Sequence, residues 1–197
     1  MDYAKLYNTL YFEGYHIGDE IVNIGKDFVN LIFQNYDFKS ILDVGCSQGL
    51  AVQQYQELEI DAYGMDVALL GIEKSKELGI KNCVQGSIVN IPFKTNRFDA
   101  VVSTDVLEHL EPEDLEKGLY EVCRVAKKYL FLKIAQKKEG NKKWIKLIKE
   151  KYNNEFPDID NLHASVFRHS TWIELIETHK KFKFKERLHR LLFFERV

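Results

Sequence analysis

Between residues 40 and 134, short apolar runs alternate with stretches in which apolar side chains recur at helical spacing. The runs Ser40–Val44, Ala62–Met65, Asn82–Gln85, Ala100–Ser103 and Tyr129–Ile134 read as buried strands. Val67–Leu78 and Glu113–Ala126, lying between them, read as helices. Strand and helix in turn predict βαβ units, hence a parallel sheet covered by helices on both faces. Ahead of the first strand, Gly18–Tyr36 carries Ile21, Ile24, Phe28, Val29 and Ile32, which predicts a helix with one buried stripe. After the fifth strand the pattern breaks. Residues 135–165 are polar and irregular, with a lysine-rich helix predicted over Lys142–Lys151 and a stop at Phe156-Pro157. Thr171–His179 then reads as a helix with Ser170 as its N-cap. Two closing apolar runs, Phe182–Phe184 and Leu191–Phe194, predict an antiparallel hairpin on the sheet edge.

Composition fits one domain with a full core: 197 residues, 45% apolar and 29% charged. It excludes a disordered chain, a collagen-like repeat and a disulfide scaffold. The net charge of −2 hides a split. Residues 1–123 carry 21 acidic and 9 basic side chains, whereas residues 124–197 carry 9 acidic and 19 basic. Either the two halves of one globule differ in surface charge, or a positive rim overlies a binding site for an anionic partner. Three widely spaced cysteines, Cys46, Cys83 and Cys123, argue against structural zinc or a disulfide framework and for a reducing compartment. The N-terminus lacks the layout of a signal peptide, and no apolar run approaches the roughly 18 residues of a membrane span. A cytoplasmic protein is the expectation.

The segment Ile41-Leu42-Asp43-Val44-Gly45-Cys46-Ser47-Gln48-Gly49 is a buried strand running into a tight turn of small residues that opens a helix. Glycines let backbone approach a ligand there, and ligands of open α/β sheets bind at the carboxyl ends of strands. The turn fails the Gly-x-Gly-x-x-Gly dinucleotide pattern, and Asp43 suits a cationic group better than a pyrophosphate. Asp43-x-Gly45-x-Ser47-x-Gly49 resembles the first motif of class I S-adenosylmethionine (SAM)-dependent methyltransferases, with Ser47 where the middle glycine usually stands. Gly64-Met65-Asp66 resembles the motif whose carboxylate holds both ribose hydroxyls, and Gln85–Phe93 resembles the loop flanking adenine, with Ser87 in place of an aspartate. Phe98–Leu110 resembles the fourth strand and the segment after it.

The resemblance covers roughly residues 38–134. It implies a Rossmann-like α/β fold with a seven-stranded, mostly parallel sheet, helices on both faces and a C-terminal antiparallel hairpin. It implies SAM as cofactor and S-adenosylhomocysteine as product. Asp43, Gly45, Ser47 and Gly49, with Cys46 acting through its backbone, would cradle the methionine part. Asp66 with Val67 would meet the ribose, and Gly86, Ser87 and Ile88 the adenine, while Thr104 and Tyr15 complete the set. Tyr11–His16 then reads either as a lid over the cofactor or as core packing.

A helix starting at Asp105 would put Asp105, Glu108 and His109 on one face. Methyl transfer to a hydroxyl needs positioning and a base, and histidine, with an ordinary pKa of about 6.5, can take a proton near neutrality. His109 and His163 are the two base candidates, with Asp105 beside them. A metal held by Asp105 and His109 lacks a clear third ligand, so no metal set is assigned. Asn161–Ser170 resembles, more weakly, a stretch of methyltransferases acting on sugars, so a sugar hydroxyl is the favoured acceptor. The alternatives are N- or C-methylation of a metabolite, tRNA or protein, or an inactive SAM-binding partner subunit. Lys137, Lys138, Lys142, Lys143, Lys146, Lys149 and Lys151 read as a solvated face or as contacts for a phosphate-bearing acceptor. No RNA-binding module is recognisable, and nucleic acid is not expected. The expected organisation is a single domain: residues 1–37 a lid and helix, 38–134 the SAM-binding core, 135–170 an acceptor-side insertion, 171–197 a terminal helix and hairpin.

Overall fold

The computed structural model describes residues 1–15, 22–135, 142–152, 154–157, 159–178 and 181–197, with the side chains of 22–27 left aside. Ile21, His16, Lys137, Lys138 and His179, singled out above, lie outside the described residues, as does the side chain of Ile24. In chain order the elements are α1 (Tyr3–Phe12), α2 (Val22–Asn35), β1 (Ser40–Val44), α3 (Leu50–Glu57), β2 (Asp61–Asp66), α4 (Leu69–Glu77), β3 (Cys83–Gln85) and β4 (Phe98–Thr104). A 3-10 turn (Leu107–His109) precedes α5 (Pro112–Val125), β5 (Ala126–Lys133), α6 (Lys142–Tyr152), α7 (His169–Thr178), β6 (Phe182–Leu188) and β7 (Leu191–Arg196).

The seven strands form one sheet in the order β3-β2-β1-β4-β5-β7-β6. The first five are parallel, and β7 lies antiparallel between β5 and β6. Strand order reverses between β1 and β4, which opens a crevice at their carboxyl ends. The period of two along each strand divides the core. Leu42, Val101, Leu130 and Phe194 face Leu119 and Val122 of α5 and Trp172 of α7. Ile41, Ala100, Phe131 and Phe193 face Val29 and Ile32 of α2, Tyr55 of α3 and Ile72 of α4. A third cluster joins Leu6 and Leu10 of α1 to Ile148 of α6, Ile159 and Leu162, next to Ala68 just beyond β2.

Three sequence expectations change. No helix starts at Asp105: that residue stands at φ +56, its carboxylate pairs with Lys133, and only the short 3-10 turn follows. Ser170 is not an N-cap, because α7 already begins at His169. Residues 3–12, read only as part of a lid segment, are a full helix started by Asp2, whose side chain accepts the Lys5 N–H at 3.0 Å.

Candidate functional site

Between β1 and α3 the chain turns through Gly45 (φ +86), Ser47 (φ +51) and Gly49 (φ +81), all left-handed. A Cβ on Gly45 would overlap Val106 Cγ2, so only glycine lets the segment after β4 press against this turn. The turn's N–H groups face inward. Gly45 and Cys46 donate to the Met65 carbonyl at 2.7 and 3.1 Å, Ser47 to Asp66 Oδ2 at 2.8 Å, and Gly49 to the Cys46 carbonyl at 2.8 Å. The backbone of Cys46 is therefore committed to β2, and its thiol is raised by its hydrogen bond to the Cys83 sulfur and by burial. These four amides are not offered to a phosphate; the charged groups here are carboxylates.

Two of these carboxylates end adjacent strands. Burial and the charge of Asp66 push the Asp43 carboxyl up to about 7. Asp66 is buried, and burial raises it as well. Its Oδ1 accepts the Ala68 N–H at 2.9 Å, and its Oδ2 accepts the Ser47 N–H and, at 3.3 Å, the Tyr11 hydroxyl.

Asp43, Gly45, Cys46, Ser47, Asp66, Val67, Gly86, Ser87, Ile88, Thr104, Asp105, His109 and Tyr15 all line one cavity of about 200 Å³. Gly49 and His163 are not in that lining. Gly49 starts α3, where a Cβ would meet Cys83 Sγ at 2.8 Å, and His163 stands behind His109 with ring centroids 4.7 Å apart. Sequence reasoning missed Tyr3 and Tyr7, which line the cavity from α1. The four-residue spacing of Tyr3, Tyr7, Tyr11 and Tyr15 behind an Asp N-cap was the available signal.

His109 Nδ1 lies 2.8 Å from the Leu162 carbonyl, which can only accept. Nδ1 therefore carries the proton and Nε2 is the basic nitrogen. The Ser165 N–H donates to the Glu108 carbonyl at 2.9 Å and its hydroxyl to the Leu110 carbonyl at 2.7 Å, fastening the segment after α6 onto the turn after β4. Glu108 is fully buried, its Oε1 accepting the Ala135 N–H at 2.8 Å.

The donor set suits SAM. A glycine-floored turn permits close approach, Asp43 answers an ammonium or sulfonium charge, and Asp66 can accept from a vicinal diol. The α1 tyrosines supply an aromatic wall.

Residues 42–132 match the protein family described as a methyltransferase domain. No curated protein gives a significant match. The chain is similar to magnesium protoporphyrin IX methyltransferase from Synechocystis, solved with bound S-adenosylhomocysteine, at TM-score 0.69 and 16% identity over 98% of each chain. A protein from Pyrococcus horikoshii gives TM-score 0.68 and 15% identity, over 92% of this chain and 94% of that one. The 1,6-didemethyltoxoflavin-N1-methyltransferase of Burkholderia thailandensis gives 0.64 and 11%, over 100% and 89%. At these identities the likeness is one of fold.

Proposed function

We propose, from the match of residues 42–132 to a methyltransferase-domain family, that the chain is a class I SAM-dependent methyltransferase that transfers a methyl group to a hydroxyl of a small molecule or glycan, a sugar being favoured. The observation that carries this reading is one shared cavity. It is lined both by the residues that suit SAM, Asp43, Asp66 and Ser87, and by Asp105 and His109 of the turn after β4. Bound there, SAM supplies a methyl group activated by its sulfonium. Asp43 holds the cationic amino-acid end, Asp66 accepts the ribose hydroxyls in place of Tyr11, and Gly86, Ser87 and Ile88 border the adenine. His109 Nε2 takes the acceptor's proton as the carbon–oxygen bond forms and the carbon–sulfur bond breaks. His163 and the Leu162 carbonyl keep the His109 ring in place. The exposed lysines of α6 favour an anionic acceptor such as a phosphorylated sugar.

Calorimetric titration with SAM and S-adenosylhomocysteine tests the cofactor assignment, and failure of both to bind overturns it. Asp66→Ala should lower the affinity by about 1–3 kcal/mol as a charged hydrogen-bond acceptor is lost. Incubation with a panel of sugars and nucleotide-linked sugars, read by mass spectrometry, should show one methyl gained on oxygen. Methylation confined to amines would favour N-methyl transfer instead.

A further inference from the structure

Glu108, His109 and His163 meet beside the cavity wall, all three buried. One ligand-type atom from each lies within 4.8 Å of the other two. Chain topology explains the meeting. Glu108 and His109 belong to the turn after β4, whereas His163 arrives more than fifty residues later on the segment that Ser165 fastens to that turn. A second observation points to a ligand. Glu108 Oε2 is buried and has no hydrogen-bond partner among the described residues, although its Oε1 is satisfied by the Ala135 N–H. An ionised carboxylate with a bare oxygen in a water-poor site is strongly unfavourable unless a cation or donor reaches it.

We propose that Glu108, His109 and His163 form a binding site for one divalent transition-metal ion of the zinc, manganese or cobalt class. Two imidazoles and one carboxylate suit such ions better than magnesium or calcium, which prefer all-oxygen shells. Ligand atoms about 2.1 Å from an ion stand roughly 3–3.5 Å apart, so the three side chains close around it with shifts of about 1 Å. The Leu162 carbonyl on His109 Nδ1 is the outer hydrogen bond that turns Nε2 of a ligating imidazole toward its metal. Asp105 and Lys133, paired with each other, both lie near enough to act on Glu108. Three protein ligands leave positions open, and the cavity that His109 lines supplies what fills them: water, or an oxygen of the acceptor. The acceptor clause rests on the methyl-transfer reading; ion binding itself needs neither SAM nor acceptor. With the ion in place His109 is a ligand rather than the base: the ion acidifies the hydroxyl it binds, and the proton passes to water in the cavity.

The test is a titration of chelator-stripped full-length protein with Co²⁺, followed by visible absorption, and with Zn²⁺ and Mn²⁺, followed by calorimetry. One ion per chain is expected, with Glu108→Gln and His163→Ala each weakening it at least tenfold. In the wild type, Zn²⁺ should protect His109 and His163 from diethylpyrocarbonate, mapped by mass spectrometry, which keeps the test sound should a variant fail to fold. Absence of stoichiometric binding of all three ions overturns the site, as does binding that leaves both histidines reactive. S-adenosylhomocysteine titrated into the same stripped protein separates the two readings. Its binding without ion uptake removes only the metal site, and ion uptake without its binding removes only the methyltransferase assignment.

Discussion

Asp43 ends β1 inside the cavity wall, where burial and the neighbouring Asp66 push its carboxyl up to about 7. A bound cation needs the ionised form, so binding SAM at low pH must first expel a proton. Affinity for S-adenosylhomocysteine, which keeps the amino-acid ammonium, should weaken about tenfold from pH 8 to pH 6 and level off above pH 8, and Asp43→Asn should flatten that profile. Calorimetry across pH checks both. The same shift acts on folding with a defined sign. The folded pKa lies above the unfolded value of about 3.9, so the contribution of Asp43 to the stability of the ligand-free protein falls as pH rises from about 4 to about 7 and then levels. Ser47 carries a related strain: its left-handed backbone is the conformation for which the resembling motif uses glycine, and the Asp66 carboxylate holds it there through its N–H. The residue types at 43, 45, 47 and 66 were legible as a constellation because each answers a local backbone or charge demand. The inward turning of the Gly45, Cys46 and Ser47 amides was not, since it depends on where β2 lies.

The segment 159–168 completes the Glu108–His109–His163 cluster, because it brings a carbonyl and a second imidazole against the turn after β4. Its hydrogen bonds to that turn run from Leu162 to His109 and from Ser165 to Glu108 and Leu110. Ser165→Ala removes the hydroxyl bond to the Leu110 carbonyl and should cost about 1–2 kcal/mol of stability, read by denaturant titration. It should raise KM for the acceptor more than Kd for S-adenosylhomocysteine, because the cofactor residues lie on other elements. Among elements, β1 was readable to the residue, since a five-residue run carrying Ile41, Leu42 and Val44 and bounded by Lys39 and Gly45 admits little else. The helix expected from Asp105 was not, because periodicity alone cannot register that Lys133 draws the Asp105 carboxylate out of helical geometry. Helix α1 was missed because its tyrosine stripe faces a cavity and only two aliphatic side chains, Leu6 and Leu10, mark its core face.

At the scale of the molecule the charge split runs across the sheet. The acidic half contains β1 to β4, and the basic half contains β5, β7 and β6 with α6 and α7. Basic side chains of the second half answer acids of the first: Lys133 pairs with Asp105, Lys127 with Asp99 at 3.6 Å, and Lys151 with Glu13 at 2.9 Å. The last strand, β7, is interior to the sheet and buries Leu191, Leu192, Phe193 and Phe194. Those side chains represent on the order of 6–12 kcal/mol of burial, comparable to the whole stability of a domain. A chain stopped after Arg190 should therefore lose cooperative thermal unfolding in calorimetry; a retained sharp transition would contradict this placement. By itself the sequence determined the alternation of strand and helix, the glycine-floored turn and the acidic ends of β1 and β2. Those are local consequences of side-chain period and backbone sterics. Only the tertiary structure decided that Tyr3, Tyr7 and Tyr11 close the cavity and that Glu108, His109 and His163 meet in one buried cluster. Such contacts join residues up to a hundred positions apart, and no local propensity encodes them; they follow from how the sheet order and the two helical layers pack.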